Sequence, residues 1–310
     1  MPVGRPSRLS VVGIAGSELA RLWGKLIFNL FQRFGVHVTP VHYYEPIPDT
    51  RRLKDELWEK DSEFPGIEID EKGQLDLLSE FEAKYKTEYD GLPEETQIPH
   101  QYHLKNSAFI AVDAEILYCM IRHFKPHRIF EVGSGNSTYL SAQAALVNKS
   151  EGHECELVAF EPYPNETLRK GFPGLSKLVQ TKAEDIVSGT FQDLGENDIL
   201  FIDSSHVVRV GNDVRHLYLE VLPRLRKGVI VHVHDIFLPK EYPKEWVLEE
   251  HYFWNEQYLL QAFMSFNDSF EVLFGASYMS NRHPDRLASA LRSYKKGVTR
   301  PCSFWIRKTR

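Results

Sequence analysis

From Asn106 onward, short apolar runs alternate with stretches of helical spacing, and this alternation leaves the chain few architectures. The segments "RIFEV", "CELVAF", "KLVQT", "DILFI" and "VIVHVH" read as five strands. Between them, "NSTYLSAQAALV" reads as a helix. So does a stretch with Val214, Leu217, Tyr218, Val221, Leu222 and Leu225 on one face, closed by Gly228. Strands that are apolar throughout need cover on both faces, which a parallel sheet between helical layers provides. Ahead of the first strand, "DAEILYCMIRHF" predicts a helix starting at Asp113 and finished by Pro126. After the fifth, "FEVLFGASYM" and "CSFWIRK" predict two late strands around a helical "RLASALRSY", compatible with an antiparallel strand at the sheet edge.

Residues 1–105 differ in texture and are read as a separate, mainly helical region that roofs the sheet domain of residues 106–310. Leu19, Leu22, Trp23, Leu26, Ile27, Leu30, Phe31 and Phe34 follow the spacing of an amphipathic helix, with Arg21, Lys25 and Arg33 elsewhere on it. Two readings stand: packing against its own domain or a sister subunit, and a peripheral membrane anchor. "VHYYEPIPD" excludes a regular helix through its prolines, and "LLSEFEAKYK" predicts a largely solvated one.

With 37 basic and 43 acidic residues and no long basic run, nucleic acid is not expected as a partner. Cys119, Cys155 and Cys302, three in number and far apart, read as free thiols of a reducing compartment. The apolar run "LSVVGIAG" after Arg5 and Arg8 is too short for a signal peptide, and no segment has the length of a membrane span. A cytoplasmic protein is therefore expected, with a homo-oligomer left open.

In open parallel sheets ligands bind beyond the carboxyl ends of the strands. The first strand runs into "EVGSGNST", where Gly133 and Gly135 allow a sharp turn onto a helix start. Thr138 stands where a dinucleotide fingerprint would have its third glycine, and Glu131 precedes the first. An oxidoreductase using NAD is the weaker reading for that reason. Glu161 ends the second strand, placed to accept ribose hydroxyls, and Glu184 or Asp185 follows the third. "FIDSSH" and "VHVHDIF" end the fourth and fifth. If these two are neighbours, Asp203 and the His234–Asp235 pair emerge roughly 5 Å apart. Two carboxylates so close repel unless a cation or a proton lies between them. A divalent metal would answer this and give His234 a partner, with His206 in reach of the same pocket. For His232 packing is the sole role foreseen.

Together these residues resemble the class I S-adenosylmethionine-dependent methyltransferases across residues 106–310, and within them the bacterial metal-dependent sugar and macrolide O-methyltransferases. The resemblance implies the sheet order 3-2-1-4-5-7-6 with strand 7 antiparallel. It implies S-adenosylmethionine held by Glu131, Gly133, Ser134, Gly135, Asn136, Ser137, Glu161, Glu184 and Asp203. Ser137 replaces the usual last glycine of the motif. It further implies Asp203 and His206 as catalytic residues, His206 the base, and Asp203, His234 and Asp235 as ligands of Mg²⁺ or Mn²⁺. His234 stands where a carboxylate is more usual, which shifts the preference towards Mn²⁺ or Fe²⁺. The acceptor implied is a small molecule, a glycan or glycosylated metabolite. Tyr242, Trp246, Tyr252 and Trp254 offer flat faces that suit either a sugar ring or an oligomer interface. A fold that binds the cofactor without turnover is the remaining alternative.

Overall fold

The computed structural model describes residues 22–310, so Leu19, Arg21 and the "LSVVGIAG" run lie outside the described residues. The chain forms two compact units, one ending at Leu57 and the other spanning Trp58–Arg310.

In the first unit, residues 22–32 are helical (α1) and the "VHYYEPIPD" segment is irregular, as its prolines require.

The second unit is built on seven strands: β1 Arg128–Val132, β2 Glu156–Phe160, β3 Lys177–Val179, β4 Ile199–Ile202, β5 Ile230–Val233, β6 Phe270–Gly275 and β7 Phe304–Lys308. They lie in the order β3-β2-β1-β4-β5-β7-β6. All neighbours are parallel except the β5–β7 and β6–β7 pairs. The strand residues of β4 and β5 are all buried, consistent with cover on both faces.

Register fixes where the chemistry sits. Val132 is level with Phe160 on β2 and with Ile202 on β4, and Ile202 is level with Val233 on β5. Gly133, Glu161, Asp203 and His234 are the next residues on their strands, so four candidate positions leave the sheet along one edge.

The compact unit reaches further towards the N-terminus than the expected boundary at 105. Helix α2, Glu71–Tyr89, buries Leu78, Phe81 and Tyr89. Its Gln74 Oε1 accepts the Gly275 N–H at 2.9 Å, and the Tyr89 hydroxyl donates to the Ala290 carbonyl at 3.0 Å. Just upstream, Trp58 Nε1 donates to the Tyr242 carbonyl at 2.9 Å, and Ser62 N–H to that of Pro239 at 2.8 Å. Residues 58–105 are thus packed into the sheet domain and hold the loop that follows β5.

Helix α3, Asp113–Phe124, follows the expected bounds, and helix α4, Asn136–Ser150, starts as expected and runs on past Val147; the two pack on each other. Two expected elements are divided. The helix after β4 is α-helical over Asp213–His216 (α5), widens to π geometry over Leu217–Val221 and tightens to a 3-10 turn over Leu222–Arg224. Pro223, which has no N–H to continue the ladder, lies in that last turn. "FEVLFGASYM" is a strand only to Gly275, and Ala276–Arg282 is helical.

Candidate functional site

The turn after β1 is built on Gly133, which has φ +81°. A Cβ there would lie 1.7 Å from the carbonyl oxygen of Asp203, so β1 turns directly against the end of β4. Gly135 differs: its Cβ would meet no protein atom within 4 Å. The open space lies over the first turn of α4.

Glu131, one residue before the end of β1, is fully buried. Its Oε1 accepts hydrogen bonds from Ser137 Oγ at 2.5 Å and Thr138 Oγ1 at 3.0 Å. Burial pushes its carboxyl up to about 8, although the two hydroxyls oppose the shift. Thr138 Oγ1 also accepts the Gly135 N–H at 2.9 Å. A hydroxyl at this position therefore closes the turn, a task a third glycine could not perform. Glu161 accepts from Ser134 N–H at 3.1 Å and from Tyr163 N–H at 2.8 Å, which ties the end of β2 to the β1 turn. Glu131 Oε2 and Ser134 Oγ are buried with no partner among the described residues. Asn136 opens α4. Glu184, half-buried in the Ala183–Asp185 turn, hydrogen-bonds none of the other candidates among the described residues.

At the ends of β4 and β5, Asp203 and Asp235 are joined by a ring. His206 Nε2 lies 3.3 Å from Asp203 Oδ1 and 3.3 Å from Asp235 Oδ2. Its Nδ1 lies 3.1 Å from Oε2 of Glu256, at the start of helix α6, Glu256–Met264. Burial opposes the charged ring, but the bonds to Asp203 and Glu256 outweigh it and hold the His206 pKa well above the imidazole range. For Asp203 burial is likewise overcome, by the nearby His234 and His206, and its carboxyl stays below its ordinary value. Burial pushes the Glu256 carboxyl up. The crowding expected between the two strand-end acids is thus relieved by an imidazolium.

Two backbone features aim these groups. His206 and Asp235 have φ of +58° and +55°, left-handed positions that cost non-glycine residues about 1 kcal/mol or more. The turn between β4 and α5 is braced by Asp213, which accepts from Ser205 N–H at 2.8 Å and Ser205 Oγ at 2.6 Å. The His206 carbonyl in turn accepts the N–H groups of Asn255 and Glu256. Trp254 covers the ring, with centroids 4.4 Å apart.

His234 points elsewhere. Its Nε2 lies 3.8 Å from Sγ of Cys302, whose thiol is 3.3 Å from Asp235 Oδ1 and 3.6 Å from Asp113 Oδ2. Asp113 does not cap its own helix; it accepts the N–H groups of Cys302 and Ser303 and fixes the approach to β7. Burial pushes both the Asp113 carboxyl and the Cys302 thiol up, so Cys302 is a neutral donor and not a nucleophile. Two donor groups result, Asp203–His206–Asp235 and Asp113–His234–Cys302, each with ligand atoms within 4.8 Å of one another. The expected trio of Asp203, His234 and Asp235 is divided between them, because the left-handed turn brings His206 back between the carboxylates.

His232 answers to packing. Its ring stacks on Phe201 at 4.0 Å and meets Trp305 at 4.6 Å, its cross-strand neighbours on β4 and β7. Burial holds it neutral, well below its usual pKa. Phe109 closes over His234, with centroids 5.0 Å apart.

The aromatics after β5 form a cluster: Tyr252 stacks on Trp254 at 5.2 Å, and Trp246 meets Trp254 edge-on at 5.2 Å. Tyr242 is buried beneath, its hydroxyl accepting the Gln257 N–H at 3.0 Å.

Comparison with known proteins adds three findings. A family model described as a methyltransferase domain matches residues 130–236, from β1 to just past β5. An uncharacterised protein of Archaeoglobus fulgidus is 32% identical over 170 residues, covering 52% of this chain and 75% of the archaeal one. Among solved structures, CmcI with Mg and SAM aligns at 14% identity and TM-score 0.37, covering 72% of this chain and 84% of that one. MycE methyltransferase from the mycinamycin biosynthetic pathway, with Mg and SAH, aligns at 15% identity and TM-score 0.35, covering 75% and 55%. Both structural likenesses are too distant to transfer a ligand or a residue's role.

Proposed function

We propose that this chain, whose residues 130–236 match a methyltransferase-domain model, is an S-adenosylmethionine-dependent enzyme that methylates a hydroxyl oxygen of a sugar-containing or other small-molecule acceptor, assisted by a divalent cation. The observation that carries this reading is His206, held between Asp203 and Asp235 and backed by Glu256, one strand away from the glycine turn.

The β1 turn suits the cofactor. Glu131 and Ser134 present buried polar atoms without partners, and Gly135 leaves open space beside them. Glu131, Gly133, Ser134, Gly135, Asn136, Ser137 and Glu161, with Glu184 and Asp203 at the flanks, are the residues assigned to hold it. When bound, S-adenosylmethionine supplies a methyl carbon made electrophilic by its sulfonium.

The chain's own residues then have three tasks. The aromatic cluster orients the acceptor: the stacked faces of Tyr252 and Trp254 suit a sugar ring, and alignment for in-line transfer supplies much of the rate. Glu256 holds His206 Nδ1–H, which leaves Nε2 to take the acceptor proton once the ring is neutral. Asp203 and Asp235 would be the carboxylates for a divalent cation beside the His206 base. A cation there would supply charge neutralisation and a lowered acceptor pKa.

The test is methyl transfer from labelled S-adenosylmethionine to a panel of glycosides and their aglycones, alongside calorimetric titration of the cofactor. Binding with transfer to an oxygen of one panel class supports the reading. Transfer confined to nitrogen or carbon acceptors overturns it.

A further inference from the structure

Helix α1 carries a surface that methyl transfer does not use. At 100° per residue, Leu22, Trp23, Leu26, Ile27, Leu30 and Phe31 fall within about half the circumference of the helix. Trp23, Leu26 and Leu30 on that face, and Phe34 just beyond it, are between 53% and 77% exposed. On the other side Phe28 stacks on His37, with ring centroids 5.1 Å apart. The irregular segment that follows continues the exposed surface with Tyr43 and Tyr44, both about four-fifths exposed.

The charge is as one-sided as the hydrophobicity. Residues 19–44 contain Arg21, Lys25 and Arg33 and no Asp or Glu. Of the chain's 37 basic and 43 acidic residues, five basic and one acidic fall in residues 1–44; the remaining residues carry a net charge of −10. The cationic segment thus stands out against an acidic protein.

We propose that α1 and its cationic flanks lie in the surface of an anionic phospholipid bilayer and make this a peripheral membrane enzyme. A helix with an exposed apolar face, an aromatic belt and only positive charge binds an interface by burying the face while its Lys and Arg meet anionic headgroups. A second copy fits less well. A two-fold contact through this face would set the cationic segment of one copy beside that of the other, with no acidic residue between positions 19 and 44 to pair them. Among the described residues no helix is long and apolar enough to cross the bilayer, so the attachment is interfacial and reversible.

The experiment uses the full chain with two vesicle preparations, phosphatidylcholine alone and phosphatidylcholine with a quarter phosphatidylglycerol, read by co-sedimentation at low and high salt. The wild type is expected to bind the anionic vesicles at least tenfold more tightly than the neutral ones, and more weakly at high salt. Leu26→Glu/Leu30→Glu and Lys25→Glu/Arg33→Glu are each expected to lose this binding while cofactor affinity and Tm stay unchanged. Absence of binding to either vesicle overturns the proposal. So does sedimentation equilibrium showing a dimer that Leu26→Glu/Leu30→Glu dissociates while vesicle binding is unaltered. That result would assign the face to a second copy.

Discussion

Glu256 Oε2 lies 3.1 Å from Nδ1 of His206, so a residue fifty positions downstream sets which nitrogen of the ring faces the acids at the strand ends. Glu256→Gln keeps the shape and removes the charge. Cofactor affinity should hold, while kcat falls about 10- to 100-fold. In the proposed mechanism the neutral ring is the base, so the rate is expected to rise with pH through the His206 pKa. Without the Glu256 carboxylate that pKa drops, and the alkaline-rising limb of the kcat profile moves to lower pH. An unmoved limb would give Glu256 a merely structural role.

Gly133 and Gly135 should part company under substitution. Gly133→Ala sets a Cβ against the Asp203 carbonyl oxygen at a positive φ, so thermal melting should show a clear loss of stability, on the order of several kcal/mol. An added Cβ at Gly135 meets no protein atom within 4 Å, so Gly135→Val should melt close to the wild type while S-adenosylmethionine binding, followed by calorimetry, disappears. Retained affinity in Gly135→Val would place the cofactor elsewhere.

The buried Glu131 makes folding pH-dependent with a definite sign. Its carboxyl titrates near 8 in the folded chain and near the ordinary 4.5 when unfolded. The folded state therefore binds the extra proton between those values, and stability falls as pH rises through that window. The loss is on the order of 3–5 kcal/mol by pH 8.5. Urea denaturation without cofactor at pH 5 and pH 8.5 measures it. Glu131→Gln, a mimic of the protonated acid, should remove most of the difference.

Metal removal tests the two strand-end carboxylates. EDTA should stop turnover while leaving cofactor affinity largely intact, and Mn²⁺ should restore activity at least as well as Mg²⁺ because an imidazole neighbours the acids. Asp235→Asn should reproduce chelation. Elemental analysis with no metal and full activity in EDTA would leave His206 working without a cation.

The sheet was legible because its strands are apolar on both faces and each ends in a turn signal; "RIFEV" and "DILFI" each fall on an observed strand. The positions of Gly133, Glu161, Asp203 and His234 along one sheet edge were legible, since each follows a strand and register does the rest. What escaped depended on long-range packing. Glu256 opens an apolar helix and Asp113 reads as a helix start, and nothing local tells that one backs His206 and the other ties down β7. The division of the histidines was hidden for a backbone reason: His206 occupies a left-handed position, which spacing along the chain does not show.

The tie between α2 and the far edge of the sheet bears on the order in which the protein can assemble. Gln74 waits for Gly275, 201 residues later, and Tyr89 waits for Ala290, also 201 residues on. On a ribosome, α2 can meet α3 early, through Arg122 Nε donating to Glu88 at 2.7 Å and Phe81 against His123, but its ties to Gly275 and Ala290 wait until those residues have been made. The half of the sheet from β1 to β5 can close earlier, because its contacts are nearer in sequence. Trp58 and Ser62, which hold the loop after β5, belong to the late stage. The loop after β5, with its aromatic cluster, is therefore secured late, and a truncated product of translation would retain the earlier half without it.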